Sequence, residues 1–111
     1  MRPINKIIIQ TVDIESIQAL ISKHLEEGMP MVGFHYMIGK DANCELGRPI
    51  SIIGNHFIGE NATSIGIVII GKEISTQQAS ELDILIEEIK LRVPSVKDIF
   101  VFEDGKLKER K

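Results

Sequence analysis

The hydrophobic pattern of the chain changes period several times, and each change marks an element. Lys6 to Val12 (KIIIQTV) sets consecutive isoleucines between polar residues, the short β-branched run of a buried strand. Asp13 can then cap a helix in which Ile14, Ile17, Ile21 and Leu25 recur at helical spacing, until Gly28 and Pro30 end it. Val32 to Gly39 reads as a second strand, and the polar turn Lys40 to Asn43 sends the chain back through Cys44 to Leu46, as in a hairpin. Gly47, Gly54 and Gly59, among polar residues, make the next stretch a loop. Ser64 to Gly71 (SIGIVIIG) is apolar at odd and even positions alike, so both faces need cover and the strand belongs in the middle of a sheet.

Ser75 or Thr76 caps a second helix. Leu82, Leu85, Ile86, Ile89 and Val93 form its inner stripe, Glu81, Asp83, Glu87, Glu88 and Lys90 its wet face, and Pro94 stops it. Asp98 to Phe102 is a last strand, after which residues 103–111 (EDGKLKERK) trail off as a turn and a flexible tail. The order β-α-β-β-β-α-β predicts an α/β fold, a mixed sheet flanked by helices.

A chain of 111 residues, 43% hydrophobic, predicts a single domain over residues 1–111 with a real core. The net charge of −3 changes the list of partners. Lys106, Lys108, Arg110 and Lys111 form a small basic tail, but no basic block interleaves with aromatics, which argues against nucleic acid. The opening segment is too briefly apolar for a signal peptide or a membrane span, so no membrane partner and a cytoplasmic location are expected. Cys44 has no second cysteine to pair with and no motif-supplied base, which makes it a small strand residue rather than a nucleophile. Gly54, Gly59, Gly66 and Gly71 lack the lysine-serine pair of a phosphate loop, and Glu87 with Glu88 is a solvated helix face.

Between Gly33 and Ile67 the residues fall into a more specific arrangement. Gly33, Phe34, His35, Tyr36 and Ile38 are followed by a lysine-aspartate turn and by Glu45, Gly47, Arg48 and Pro49. Then come Gly54 and His56, and finally Gly59, Asn61, Ser64, Ile65, Gly66 and Ile67. In this order the segments resemble the N-acetylmuramoyl-L-alanine amidase family, which includes amidase-type phage lysozymes and the peptidoglycan recognition proteins. The resemblance runs from about Ile7 to Gly71. It implies a sheet that carries a cleft, and in the cleft a zinc ion that activates water against the amide between N-acetylmuramic acid and L-alanine.

The resemblance also implies where the metal ligands belong. The first zinc histidine should end the first strand, where Gln10 stands; an amide oxygen is a poor substitute for imidazole. The tyrosine of the second strand is replaced by Phe34, without a hydroxyl. The second zinc histidine should lie on the strand DIFVFED, and the third ligand, cysteine or aspartate, in GKLKERK; neither stretch contains one. The expected function is therefore that of a pseudoenzyme with no cofactor, binding or sequestering a small ligand in the former active-site cleft. That ligand would be a muropeptide-like fragment or a signalling nucleotide, held by Gln10, Phe34, His35, Arg48, Asn55, His56 and Asn61. Two rivals stand beside it: a zinc-dependent amidase acting on peptidoglycan, and a protein-interaction or inhibitor module whose exposed apolar edge could equally drive homo-oligomers.

Within that list the residue types pull two ways. His56 and Asn55 sit in the cleft loop with donors and acceptors to offer. Asn61 and Ser64 either face a ligand or fix the loop through backbone bonds. Arg48 either binds an anion or holds the loop by a salt bridge. His35 fits a hydrogen-bonded residue at the sheet surface. His24, near the end of the first helix, is expected to be solvated and to favour the negative end of the helix dipole.

Overall fold

The computed structural model describes residues 2–110. They form β1 (Lys6–Val12), α1 (Ile17–Glu26), β2 (Tyr36–Ile38), β3 (Cys44–Leu46), a 3-10 turn (Asn61–Thr63), β4 (Ser64–Ile70), α2 (Thr76–Arg92), β5 (Asp98–Glu103) and β6 (Lys106–Glu109). The six strands make one sheet in the order β3-β2-β4-β1-β5-β6. Its four inner strands are parallel, and each edge is closed by an antiparallel partner.

The sheet is mixed and flanked by helices, as the pattern predicts, and its two faces are read off the alternation along each strand. Ile7, Ile9, Tyr36, Ile38, Ile65, Ile67 and Ile69 face α2 and pack on its Leu82, Leu85, Ile86 and Ile89. Met37, Val68 and Ile70 face α1 and pack on Ile17, Leu20, Val32 and Phe34. All seven residues of β4 are buried, which is why its sequence shows no alternation. The start of α2 is docked by a polar anchor. Ser75 and Gln78 form a reciprocal capping box, and Gln78 Nε2 donates to the carbonyls of Gly39 (2.8 Å) and Ile70 (2.9 Å), the ends of β2 and β4.

Several expectations are corrected. The first helix is capped by Ser16, whose Oγ accepts from Ala19 N–H at 3.1 Å, and not by Asp13. Its inner stripe is Ile17, Leu20 and His24, with Ile14 and Ile21 at the margin, while Leu25 is 50% exposed. His24 is thus buried rather than solvated, because its Nδ1 accepts from the Gly33 N–H at 2.9 Å. The second strand is shorter than the apolar run. Residues 32–35 stay buried beside β4, but on their other side they bond to the loop, Gly47 N–H to His35 O and Arg48 N–H to Phe34 O, instead of to a strand.

The expected flexible tail is instead a hairpin. Asp104 and Gly105 adopt positive φ (50° and 76°), the tight turn that an Asp-Gly pair favours, and β6 pairs with β5 so that Leu107 lies opposite Phe102. Arg110 pairs with Asp83 of α2. Lys111, the last of the basic tail, lies outside the described residues. Among the described residues no helix is long and apolar enough to cross a membrane.

Candidate ligand-binding site

The loop between Gly47 and Thr63 folds over the α1-side face of the sheet, and its shape is set by backbone groups captured by side chains. Asn61 Oδ1 accepts from the N–H groups of His56 (3.0 Å) and Phe57 (2.9 Å). Arg48 donates to the carbonyls of Val32, Ile53 and Met31. Arg2 reaches in from the start of the chain and donates to Ile50 O, Asn61 O, Ala62 O and Ser64 O. Lys6 on β1 pairs with Glu60. The loop is therefore tied to β1, to β4 and to the segment before β2. Each neutral bond contributes about 1 kcal/mol, and those to a charged donor somewhat more.

Beneath this loop the rings of His24, Phe34, His56 and His35 form a row. His24 stacks on Phe34 at 5.9 Å, Phe34 on His56 at 5.8 Å, and His56 meets His35 edge-on at 5.9 Å. The ring of His56 lies directly on Gly66 of β4, where a Cβ would approach it to 2.5 Å, so only glycine leaves room for it.

Hydrogen bonding fixes the state of each imidazole. His35 Nδ1 accepts from Gly66 N–H at 3.0 Å, so the proton is on Nε2, which donates to Ile52 O at 2.8 Å. Arg2 Nη2, 3.2 Å from the same Nε2, is then a second donor facing a donor, and its bond goes to Ser64 O at 2.8 Å. Ser64 Oγ gives its hydrogen to Glu60 O (2.6 Å), so His56 Nε2, 3.4 Å from Ser64 Oγ, carries the proton. His56 Nδ1 is left as a buried acceptor with no donor among the described residues. Burial first, then the charges of His35, Arg2 and Arg48, push His56 down to about 4. Burial likewise lowers His24 and His35. At neutral pH all three rings are uncharged.

Gln10 lies on the same face. Its β4 partner is Val68, two positions beyond the Ile8–Gly66 pair over which His56 sits, and on its other side runs β5. Its Oε1 is also buried, with no partner among the described residues. The loop spans the central strand, because Phe57 packs edge-on against Phe102 of β5 at 5.3 Å. Farther down this face Lys6, Phe100 and Leu107, with Glu60 above, line an open depression of about 430 Å³. No helix covers β5 and β6 here, and Phe102 remains 36% exposed.

The residues named from sequence thus divide by what they can offer. Gln10 and His56 are brought to one face, each with an unused buried acceptor, and Asn55 is exposed at the rim. Phe34 (4% exposed) and His35 (0%) have no surface to present; they are packing residues of the loop's underside. Asn61 is occupied by the loop backbone. Arg48 holds the loop as well, through carbonyl bonds and not a salt bridge. Ser64 is buried and bonded to Glu60. Cys44 sits on edge strand β3, its thiol pushed up by desolvation and by Glu81, Glu88 and Glu45, which disfavours the thiolate. Sequence reasoning missed Phe57, Phe102 and Arg2. The alternation Phe100-Phe102 was a visible signal for one apolar face of β5, whereas nothing local links Arg2 to carbonyls 48 to 62 residues away.

The side chains do not fit a zinc ion. Gln10 stands where the resemblance places the first imidazole, β5 carries phenylalanines on that face, and both His35 nitrogens are committed. Among the described residues no three His, Cys, Asp or Glu side chains converge to hold a metal.

Comparison with known proteins bears on the fold. No family model matches the chain. The endolysin of Enterobacteria phage K11 is 31% identical over 80 residues, covering 64% of this chain and 53% of the phage protein. The endolysin of Klebsiella phage KP32 is 40% identical over 48 residues, 43% of this chain and 32% of that protein. The chain therefore spans about half or less of the length of these relatives. Among solved structures, the N-acetylmuramoyl-L-alanine amidase LysC of Clostridium intestinale superposes with a TM-score of 0.83 at 26% identity, over 96% of this chain and 74% of that one. The ectodomain complex of the peptidoglycan recognition proteins LCa and LCx with tracheal cytotoxin gives 0.79 at 23% identity, over 91% and 71%. By sequence motif the chain is similar to phage endolysins, and by fold it is similar to the N-acetylmuramoyl-L-alanine amidases and the peptidoglycan recognition proteins.

Proposed function

We propose that this protein is a non-catalytic, ligand-holding member of the amidase and peptidoglycan recognition protein family. One observation carries the proposal: two buried acceptors, Gln10 Oε1 and His56 Nδ1, lie on the same face without a donor among the described residues. Buried polar atoms are nearly always satisfied, so two orphaned acceptors on the face that also carries the depression of Lys6, Phe100 and Leu107 favour a ligand that brings an N–H or O–H. The neutral His56 ring and the Phe57–Phe102 pair give such a ligand apolar walls, and Asn55 adds a polar group at the rim. With an amide in place of the first imidazole, the site selects by hydrogen bonds and contact instead of Lewis acidity. The ligand class follows the family. Tracheal cytotoxin, a monomeric peptidoglycan, is bound by the peptidoglycan recognition protein LE, which shares this fold. A muropeptide-like fragment is the first choice, and a signalling nucleotide the second.

Calorimetric titration of the untagged protein with a monomeric muropeptide, and separately with cyclic and ADP-ribose-type nucleotides, tests this. Saturable binding that is lost in His56→Ala and in Gln10→Leu, with no release of L-alanine peptides from cell wall, is expected. Stoichiometric zinc together with amide cleavage would return the protein to the hydrolases. Failure of both ligand classes to bind would leave the orphaned acceptors without a role and remove the proposal.

A further inference from the structure

A second feature lies where α2 ends. Arg92, the last residue of α2, lines, besides a smaller depression that it shares with Tyr36 and Glu88, two open depressions, one of about 300 Å³ with Arg48, Pro49 and Ile50, the other of about 520 Å³ with Arg2, Asn5 and Lys97. The bond from Arg2 Nε to Ile50 O joins their walls. Four cations therefore line these two depressions, and among the described residues no carboxylate lines either, while Glu88 lies on the other side of Arg92 and Asp98 and Glu60 on the other side of Lys97. Among the described residues none of the four takes part in an ion pair. The chain as a whole is acidic, at −3, so this concentration runs against its composition.

The cations differ in what they have left to give. Arg2 and Arg48 spend their N–H groups on loop carbonyls, but neutral acceptors do not cancel charge, so both still contribute to the local potential. Arg92 and Lys97 are exposed; Arg92 shares a hydrogen bond with the neutral phenol of Tyr36, and Lys97 makes no side-chain hydrogen bond among the described residues. Complementing the helix dipole accounts for Arg92 alone. It does not account for Lys97, Arg2 or Arg48, which come from three other segments. Beside the free donors, Pro3, Ile4, Val93 and Pro94 form an apolar patch.

We propose that Arg92 and Lys97, backed by Arg2 and Arg48, bind the phosphate group of a small phosphorylated molecule whose apolar or planar part rests on Pro3 and Pro94. A planar guanidinium fork matches phosphate oxygens, the ammonium adds a point charge, and the surplus of positive charge suits a dianion better than a single carboxylate. The site adjoins the Gln10–His56 face through Asn5 and Lys97 and through Arg2 and Arg48, whose charges also bear on His56, but Arg92 and its apolar neighbours lie outside that face.

Amide chemical-shift titrations with inorganic phosphate, ribose 5-phosphate, adenosine 5′-monophosphate and acetate test the site. The expected result is saturable shifts confined to residues 2–5 and 92–97, with adenosine 5′-monophosphate tighter than inorganic phosphate and acetate weakest. Arg92→Glu with Lys97→Glu, both at exposed positions, should weaken the phosphate compounds by about tenfold or more and leave shift dispersion intact, while His56→Ala should change nothing here. Ribose 5-phosphate equal to adenosine 5′-monophosphate would assign recognition to phosphate and sugar, and a gap between them to the base. Absence of saturable shifts, indifference to the double substitution, or acetate binding as well as phosphate overturns the proposal.

Discussion

The imidazole of His56 rests on the bare Cα of Gly66, so that a β-carbon at Gly66 would stand 2.5 Å from His56 Cδ2 and 2.6 Å from Cγ. A loop residue and a central-strand residue thereby fix each other: the strand supplies a gap one methyl deep, and the ring fills it. Gly66→Ala should therefore cost about 1–3 kcal/mol through overpacking, seen as a lower urea midpoint with an unchanged slope. If the clash is with His56, the same substitution in a His56→Ala background should cost much less than the two changes summed.

The same burial makes the fold sensitive to acid. His56 falls from an ordinary 6.5 in the unfolded chain to about 4 in the folded one. Between those values the unfolded state binds the extra proton, so stability rises with pH through this window. The contribution is fully present above about pH 6.5 and is lost as pH falls to about 4, a difference of roughly 3 kcal/mol at 1.36 kcal/mol per pH unit. His24 and His35, lowered by burial, act in the same direction. Urea melts at a series of pH values should show this slope, and His56→Phe should flatten it.

His24 carries a prediction of its own. Its Nδ1 is the acceptor for the buried Gly33 N–H at 2.9 Å. His24→Leu keeps the apolar contact with Phe34 but strands that N–H, for a cost of about 1–3 kcal/mol. His24→Asn, which restores a short acceptor, should recover part of the loss in a thermal melt.

Arg2 is the clamp of the loop. Replacing it by methionine removes the donors to Ile50, Asn61, Ala62 and Ser64 carbonyls while keeping an apolar stem. Amide exchange should then quicken across residues 50–64 and stay unchanged in α2, because local opening energies differ between segments. Exchange that rises uniformly would mean Arg2 supports global stability and not the loop.

Much of the architecture was legible because it is local. Ser64–Ile70 carried its central position in its unbroken apolar run, and α2 carried its inner stripe, its Ser75 cap and its proline stop. The Asp-Gly turn before β6 was equally local. It was passed over because KLKE is a charged strand, of the kind that edges use, and charge reads as tail. The inward place of His24 was illegible, since a polar residue counts as inward only once its partner, the Gly33 N–H, is known.

The site divides along the same line. By itself the sequence determined which residue types stand where the resemblance places zinc ligands, because an amide at Gln10 and phenylalanines along β5 are a matter of residue type. It also named the loop that bears His56 and Asn61. Only the tertiary structure decided which of those residues are already committed to partners within the fold. It gave Asn61 and Arg48 to the loop backbone, buried Phe34 and His35, and left Gln10 Oε1 and His56 Nδ1 unanswered. The reason is that hydrogen-bond capacity belongs to a residue, whereas its satisfaction depends on groups brought close from far along the chain.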